Sequence, residues 1–371
     1  MTHPTSSTVS IPTHMSVQIP TTMGLDLSDR VSTFHVQRGD GLTLSVGKVA
    51  STRTQLTGLF QRWKGCRVVM EAGGHSPWIS RLAVEVGMDV IVANPRKVEL
   101  ISKNDRKTDA ADAEILADMG RTNVKRLYPI THRSQQAQFD LAVPRARTEI
   151  VRARTGLINH VRGVLKSNGY RAPSCSADSF ARKMSEEGAM PTGLAHALHP
   201  LVSLIAQVTA QIQSFDKEME RIAAERYSVA QHLQQISGVG PVVSLCFVLT
   251  LDDPERFASA RDVGAYLGLV PRKKGSGKSD PQLSITKAGD REMRRLLVIA
   301  ANYILGPFGP DCDLRRFGLK IIGGGGDRSA KKRAKVAVAR KLAVLMHHLW
   351  RTGEVYDPFY TAKRRGELVV A

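Results

Sequence analysis

The sequence predicts an α/β domain followed by helical regions, and three observations carry that reading. Between residues 23 and about 128, short apolar runs rich in β-branched residues alternate with segments of helical period. From 131 to 230 the β signal fades and an apolar repeat of alternating 4,3 spacing takes over. From 231 to 360 helical stretches are broken by glycine-rich turns. The expected organisation is a tail (1–22), an α/β domain (23–130), a helical coiled-coil region (131–230), a helical C-terminal domain (231–360) and a second tail (361–371).

The N-terminal stretch from Met1 to Thr22 is rich in Ser, Thr and Pro. It lacks a basic segment followed by an apolar one, so it reads as a disordered tail and not as a signal peptide. Met23–Leu27, Ser32–Gln37 and Leu42–Val46 are each apolar and short, with tight polar connections, which predicts a three-stranded meander. Thr52–Lys64 carries a helical pattern, Cys66–Glu71 is an apolar β-branched strand, and Ser76–Gly87 is helical again. Asp89–Ala93 follows as a strand and Asp109–Arg121 as a helix. Three strands and then alternating helices and strands indicate an α/β sheet.

Leu201, Ile205, Val208, Ile212, Phe215, Met219 and Ile222 form an a/d seam over about three heptads. Gln135–Lys166 is a candidate antiparallel partner, and Asn168–Pro191 would hold the turn. Two readings stay open: a coiled coil that joins proteins or spaces domains, and a helical hairpin within the chain. Further on, Ile236–Pro241, Gly264–Pro271 and Arg272–Asp280 mark turns and loops, and a basic helix, Ala330–Leu345, follows Gly323–Gly326.

The charge balance narrows the partner. The 371 residues include 53 Lys and Arg against 34 Asp and Glu, a formal charge of +19. That favours a polyanion, with nucleic acid ahead of a membrane surface. No uninterrupted apolar run approaches the roughly 20 residues of a membrane span. The cysteines, Cys66, Cys175, Cys246 and Cys312, are scattered without a CxxC pair, which speaks against a zinc site and for reduced thiols in the cytoplasm.

Within this basic chain, four acids stand out. Asp26 interrupts the apolar run Met23–Leu27, and Glu71 ends the run Arg67–Glu71. Asp109 and Asp112 lie three apart and share one helix face. Carboxylates at strand ends and on one helix face can meet at Mg²⁺ or Mn²⁺, hard cations that take oxygen ligands and serve phosphodiester chemistry. The order strand, strand, helix is that of ribonuclease-H-like sheets. A plain reading competes: Asp109 and Asp112 decorate a solvated helix face. Asp26 resists that reading, because an acid between Leu25 and Leu27 is costly if buried alone. Asp29, Asp105 and Glu114 are alternative acids nearby.

Three further segments suit nucleic acid. Gly238 and Gly240 in Ile236–Pro241 open a helix and resemble the turn of helix-hairpin-helix modules, which hold the phosphate backbone. An ordinary interhelical turn is the alternative. The loop Pro271–Ser279 fails as a P-loop, since Arg272 stands where the motif needs glycine. It leaves Ser276 among Arg272, Lys273, Lys274 and Lys278, either as a nucleophile or in a loop that only contacts phosphate. Lys331, Lys332 and Arg333, with Lys335, Arg340 and Lys341, suit backbone neutralisation, as do Arg145, Arg147, Arg152, Arg154 and Arg162 in the middle helix. His347 and His348 read as structural.

Taken in order, Gly24-Leu-Asp-Leu-Ser, Glu71-Ala-Gly-Gly, Lys107-Thr-Asp-Ala-Ala-Asp-Ala, Ile236-Ser-Gly-Val-Gly, Tyr266-Leu-Gly-Leu-Val-Pro, Ser276-Gly and the run from Ile285 to Leu297 form a recognisable series. The chain resembles the DEDD transposases of the bridge-RNA-guided insertion-sequence family, relatives of the Piv-type invertases, over roughly residues 22 to 360. The resemblance implies a RuvC-like, ribonuclease-H-like first domain whose Asp26, Glu71, Asp109 and Asp112 bind Mg²⁺. It implies a nucleophilic serine at Ser276, with Ser279 and Ser284 close by. It also implies a coiled coil that mediates oligomerisation, to a dimer that assembles into a tetramer. Expected partners are donor DNA, target DNA and a structured guide RNA, and the expected setting is a prokaryotic cytoplasm, at the nucleoid. A metal-dependent nuclease or junction resolvase without a covalent serine step is the rival expectation.

Overall fold

A computed structural model of the chain describes residues 20–96, 108–186, 188–273, 283–323 and 327–366. Two compact units emerge, Met1–His132 and Arg133–Ala371.

The first unit is a five-stranded mixed sheet with helices on both faces. Its strands are β1 (Thr22–Asp26), β2 (Val31–Gln37), β3 (Thr43–Ala50), β4 (Arg67–Glu71) and β5 (Asp89–Ala93), in the spatial order β3-β2-β1-β4-β5. The expected meander is present: β2 runs antiparallel to β1 and β3, and β1, β4 and β5 are parallel. Side chains alternate across a strand, so each strand divides between two faces. Met23, Leu25, Phe34, Val36, Val68, Met70 and Val92 take one face. They are buried with Leu56, Leu59 and Phe60 of α1 (Arg53–Arg62) and Ile79, Leu82 and Ala83 of α2 (Ser76–Val86). Thr22, Gly24, Asp26, Thr33, His35, Gln37, Arg67, Val69 and Glu71 take the other, where α3 (Asp109–Thr122) lies.

Close packing fixes the path of α3. A methyl group on Gly24 would sit 1.9 Å from the Ala113 carbonyl oxygen and 2.6 Å from the Ala117 nitrogen. One on Gly120 would sit 2.3 Å from a Val69 methyl and 3.0 Å from a Thr22 methyl. The helix therefore touches the sheet backbone to backbone, as only glycine permits. Arg67 adds a hydrogen bond to the Gly120 carbonyl (2.9 Å) while its guanidinium pairs with Asp89 at 2.7 Å.

The second unit is helical. Helices α4 (Ala142–Ser167) and α5 (Thr192–Arg226) form an antiparallel hairpin. Arg154 meets Thr209, Arg147 meets Asp216, and Asp140 just before α4 meets Arg226 at the end of α5. The seam thus closes within the chain. Its buried positions on α5 are Leu198, Val202, Ile205, Thr209, Ile212, Met219, Ile222 and Ala223. The expected seam shares Ile205, Ile212, Met219 and Ile222 with this set, but its other members, Leu201, Val208 and Phe215, are only half-buried. Their neighbours Val202 and Thr209 are buried instead, Thr209 accepting from Arg154 at 3.4 Å, while Asp216 is half-buried like Phe215 and pairs with Arg147. By length and composition α5 would also pass for a membrane span, with a mean hydropathy of 1.2 in its most apolar window. The segment 168–191 folds back on the hairpin tip, where Phe180, Ala181 and Met184 pack on Ile158, Val161, Leu165 and Leu198.

At its base the hairpin shares a core with the C-terminal helices. Met219 and Ile222 are buried together with α6 (Pro241–Leu251), which is apolar on all sides, and with α7 (Ala260–Tyr266), α8 (Arg291–Leu305) and α10 (Arg328–Thr352). Helix α9 (Asp313–Ile322) packs on α10 through Gly318, whose added methyl would strike Val338 at 2.7 Å. His347 is buried, bonds the Pro254 carbonyl at 2.9 Å and stands edge-on to Phe257, a structural role as expected.

Candidate active site

Asp26 ends β1 and Glu71 ends β4. The two strands are parallel with Leu25 beside Met70, so the register places Asp26 next to Glu71 and on the same face. That face is the one α3 crosses. Thr22 lies under Gly120 and Gly24 under Ala113 and Ala117. Two strand residues rise about 6.6 Å and four helical residues about 6 Å. One more step of each brings the first turn of α3, with Asp109 and Asp112, over Asp26. The register thus sets Asp26 and Glu71 at neighbouring strand ends, and the packing of α3 directs its first turn toward that end of the face.

The four acids differ in burial. Asp112 is buried, Asp26 and Glu71 are half-buried, and Asp109 is exposed. Asp109 and Asp112 also suit the first turn of α3, where carboxylates face the positive end of the helix dipole. The Thr108 hydroxyl caps that turn by accepting from the Ala111 amide at 3.2 Å. Among the described residues no three His, Cys, Asp or Glu side chains already stand as a ligand cluster.

Two of the alternative acids are described, Asp29 and Glu114. Asp29 lies in the loop after β1 and bonds the His75 ring at 2.9 Å, while the Trp78 indole donates to the same ring at 3.3 Å. This Asp29–His75 pair tethers the loop after β1 to the loop that follows Glu71, and the sequence reading missed it. No signal pairs those positions, 46 residues apart. Glu114 is exposed on α3, and Asp105 lies outside the described residues.

Ser276, Lys274, Lys278 and Ser279 also lie outside the described residues, but the root of their loop is well defined. Pro271 bridges Ile285 in antiparallel fashion, and the Arg272 amide donates to the Ser284 carbonyl at 3.0 Å. Gly268 and Gly289 both adopt left-handed backbone, where a methyl would strike Ala288 at 2.3 Å and the Tyr266 carbonyl at 2.0 Å. Arg294 of α8 donates to the Leu267 carbonyl (3.0 Å) and the Ala288 carbonyl (2.6 Å). Arg272 and Lys273 are exposed at the mouth of the loop.

Acids just beyond this root hold the hairpin. Asp290 caps α8 by accepting from the Met293 amide at 2.8 Å and pairs with Arg145 at 2.7 Å. Burial alone would raise its pKa, but the Met293 amide and the Arg145 guanidinium more than offset that and hold it below the usual range. Glu292 accepts from Thr148 and pairs with Arg152 and Arg295, and it too stays below the usual range against the pull of burial. Arg147 pairs with Asp216, Arg154 with Asp178, and Arg162 stacks on Phe180. The five hairpin arginines that suited a nucleic-acid backbone in sequence thus serve intrachain contacts.

The remaining basic and glycine candidates divide. Gly238 is left-handed and faces inward, where a methyl would meet the Ala300 carbonyl at 3.2 Å; Gly240 faces open space. Lys331, Lys332 and Arg333 are exposed near the start of α10, Arg333 bonding Ser329. Lys341 instead lies over the Phe317 ring, and its pKa is lowered by burial.

Known proteins resemble this chain. A family model for DEDD transposases of the IS110 type matches residues 23–168, and the model described as Transposase IS116/IS110/IS902 family matches residues 230–310. A probable family 20 transposase of Pseudomonas aeruginosa is 29% identical over 76% of this chain and 83% of its own length. The transposase for insertion sequence element IS1328 of Yersinia enterocolitica is 29% identical over 75% and 82%. That for IS1111A of Coxiella burnetii is 28% identical over 79% of each. With both family regions present in order along the chain, it belongs to the DEDD transposases of the IS110 family, enzymes of DNA transposition.

Proposed function

We propose that this transposase is an RNA-guided recombinase that cuts and rejoins DNA with four carboxylates and a nucleophilic serine. The observation that carries the reading is the register that sets Asp26 beside Glu71, with the first turn of α3, which carries Asp109 and Asp112, directed toward them. The order β3-β2-β1-β4-β5, with β2 antiparallel to its neighbours, supports a ribonuclease-H-like, RuvC-like domain. The donor set consists of oxygen alone, which fits Mg²⁺ or Mn²⁺. When bound, such a cation polarises the scissile phosphate and stabilises charge developing on it.

Ser276 is the nucleophile in this proposal. Its Oγ forms a bond to phosphorus as the bond from phosphorus to one strand-end oxygen breaks. The serine proton passes to a base, and the leaving oxygen takes up a proton as it departs. Arg272, Lys273, Lys274 and Lys278 draw the phosphate to the loop. The phosphoserine keeps the energy of the phosphodiester for rejoining. A loop root clamped by Arg294 supports this role, since a nucleophile needs a fixed origin.

Donor and target DNA bind through Gly240, Lys331, Lys332 and Arg333. Arg328, Lys331 and Lys332 crowd the first turns of α10, where the helix dipole disfavours cations, and a phosphate there relieves the conflict. A guide RNA selects the two DNAs, and the helical hairpin joins copies of the chain into a dimer and then a tetramer at the nucleoid. Ser276→Ala is expected to abolish covalent protein–DNA adducts and leave RNA binding intact. Adducts at full yield in that variant would remove Ser276 from the mechanism. Cutting that leaves free ends and persists in Ser276→Ala would point to a metal-dependent nuclease or junction resolvase.

A further inference from the structure

Thr33 carries an unexplained hydroxyl beside Asp26. It lies on β2 directly opposite Asp26 of β1. Opposed residues of an antiparallel pair share a face, with their Cβ atoms about 5 Å apart. Thr33 is 4% exposed, and its Oγ1 is buried without a hydrogen bond. A valine of the same shape would remove that cost.

Its neighbours sharpen the contrast. Ser32, the next residue, faces the other way and is satisfied by the Ser51 hydroxyl at 2.8 Å and the Ser28 amide at 3.3 Å. His35, two residues along on the same face, bonds the Thr43 hydroxyl at 3.1 Å. Gln37 also has a buried oxygen without a hydrogen bond, but it stands opposite Thr22, at the far end of the strand from the acids. On its other side Thr33 is opposite Lys48. Of the two residues on this face of β2 with such an atom, only Thr33 adjoins a site acid.

We propose that Thr33 is a positioning residue for Asp26: its hydroxyl, which bonds nothing in this structure, turns to donate to the Asp26 carboxylate when the site holds a divalent cation and fixes the oxygen that faces it. The inference rests on the acid-site reading given above. A hydrogen bond from a neighbour orients a ligating carboxylate and typically changes metal affinity ten- to a hundredfold. Thr33 touches no substrate in this scheme and acts only through Asp26.

The test measures Mn²⁺ binding to the full chain by electron paramagnetic resonance, beside thermal unfolding without metal. Thr33→Val is expected to weaken Mn²⁺ binding about tenfold with an unfolding midpoint no lower than wild type. Thr33→Ser, which keeps the hydroxyl, should bind close to wild type. Thr33→Ala supplies the same loss if the valine variant does not fold. Asp26→Asn, which removes the ligand itself, should weaken Mn²⁺ binding more than Thr33→Val does. Wild-type affinity in the folded hydroxyl-free variant, with binding weakened in Asp26→Asn, would overturn the Thr33 inference alone. Wild-type affinity in Asp26→Asn would overturn the acid-site reading, and Thr33's role with it.

Discussion

The two faces of the five-stranded sheet are made by the same strands and do different work. Toward α1 and α2 the strands present Met23, Leu25, Phe34, Val36, Val68 and Met70, large apolar side chains with little or no exposure. Toward α3 they present Thr22, Gly24, Asp26, Thr33, His35, Gln37, Arg67 and Glu71, with Val69, Ile91 and Val46 as large apolar exceptions. The first face builds stability by excluding water over a wide area. The second builds position: small residues let α3 approach until backbones touch, and that directs its first turn toward the strand ends. A period of two lets one strand serve both ends without compromise. Leu25 and Asp26 are adjacent in sequence and belong to different tasks.

Gly24→Ala should break this division most severely. A methyl there would lie 1.9 Å from the Ala113 carbonyl oxygen, so α3 must lift off β1. Overpacking against backbone lies at the upper end of the usual range, about 3 kcal/mol. Lifting the helix also carries Asp109 and Asp112 away from Asp26, and a displacement near 1 Å at reacting groups can cost about a hundredfold in rate. Thermal unfolding and a transposition assay in a permissive host would measure the two losses. Stability and activity both at wild-type level would show that the close approach of α3 has no role in gathering the acids.

Leu25→Ala strikes the other face. Leu25 is fully buried, and its truncation should cost about 2–5 kcal/mol. Its side chain points away from α3, so per folded molecule the activity should stay near wild type below the new unfolding temperature. Activity that falls in parallel with Gly24→Ala, at a temperature where both remain folded, would mean the faces are not separable.

The sequence made much of this legible, because alternation and helix period are local signals. The strands from β1 to β5 and the helices among them follow from short apolar runs and their breaks, to within a few residues except at the C-terminal end of β3. Asp26 stood out for the same reason, as an acid in an apolar run. What distant contacts decide was hidden. Gly24 has a local excuse in any strand, and only α3, about 90 residues on, makes it necessary. Arg145, Arg147 and Arg152 looked like a nucleic-acid surface, since their acids, Asp290, Asp216 and Glu292, lie 145, 69 and 140 residues away. The phase of the hairpin seam slipped by one residue at Val202 and Thr209, because a 4,3 count scores Leu201 and Val208 as more apolar than Thr209. The Thr33 hydroxyl carried no signal at all: a threonine in a strand is ordinary until its partner across the sheet is known.

Arg67→Met is the gentlest probe and bears on how α3 is aligned. Arg67 sits on the α3 face of β4, at the end away from the acids, and joins the Gly120 carbonyl to Asp89. Its cation near the C-terminal turn of α3 also complements the helix dipole there. Methionine keeps much of the stem and removes the charge. Asp89 is about half exposed, so it returns to water with little penalty, and the loss should be about 1–2 kcal/mol. The informative readout is Mn²⁺ affinity. If glycine contacts alone hold the register of α3, affinity should match wild type while the unfolding midpoint drops by a few degrees. If affinity falls as well, Arg67 sets the register from the far end, and the polar face acts as one lever from Asp89 to Asp26.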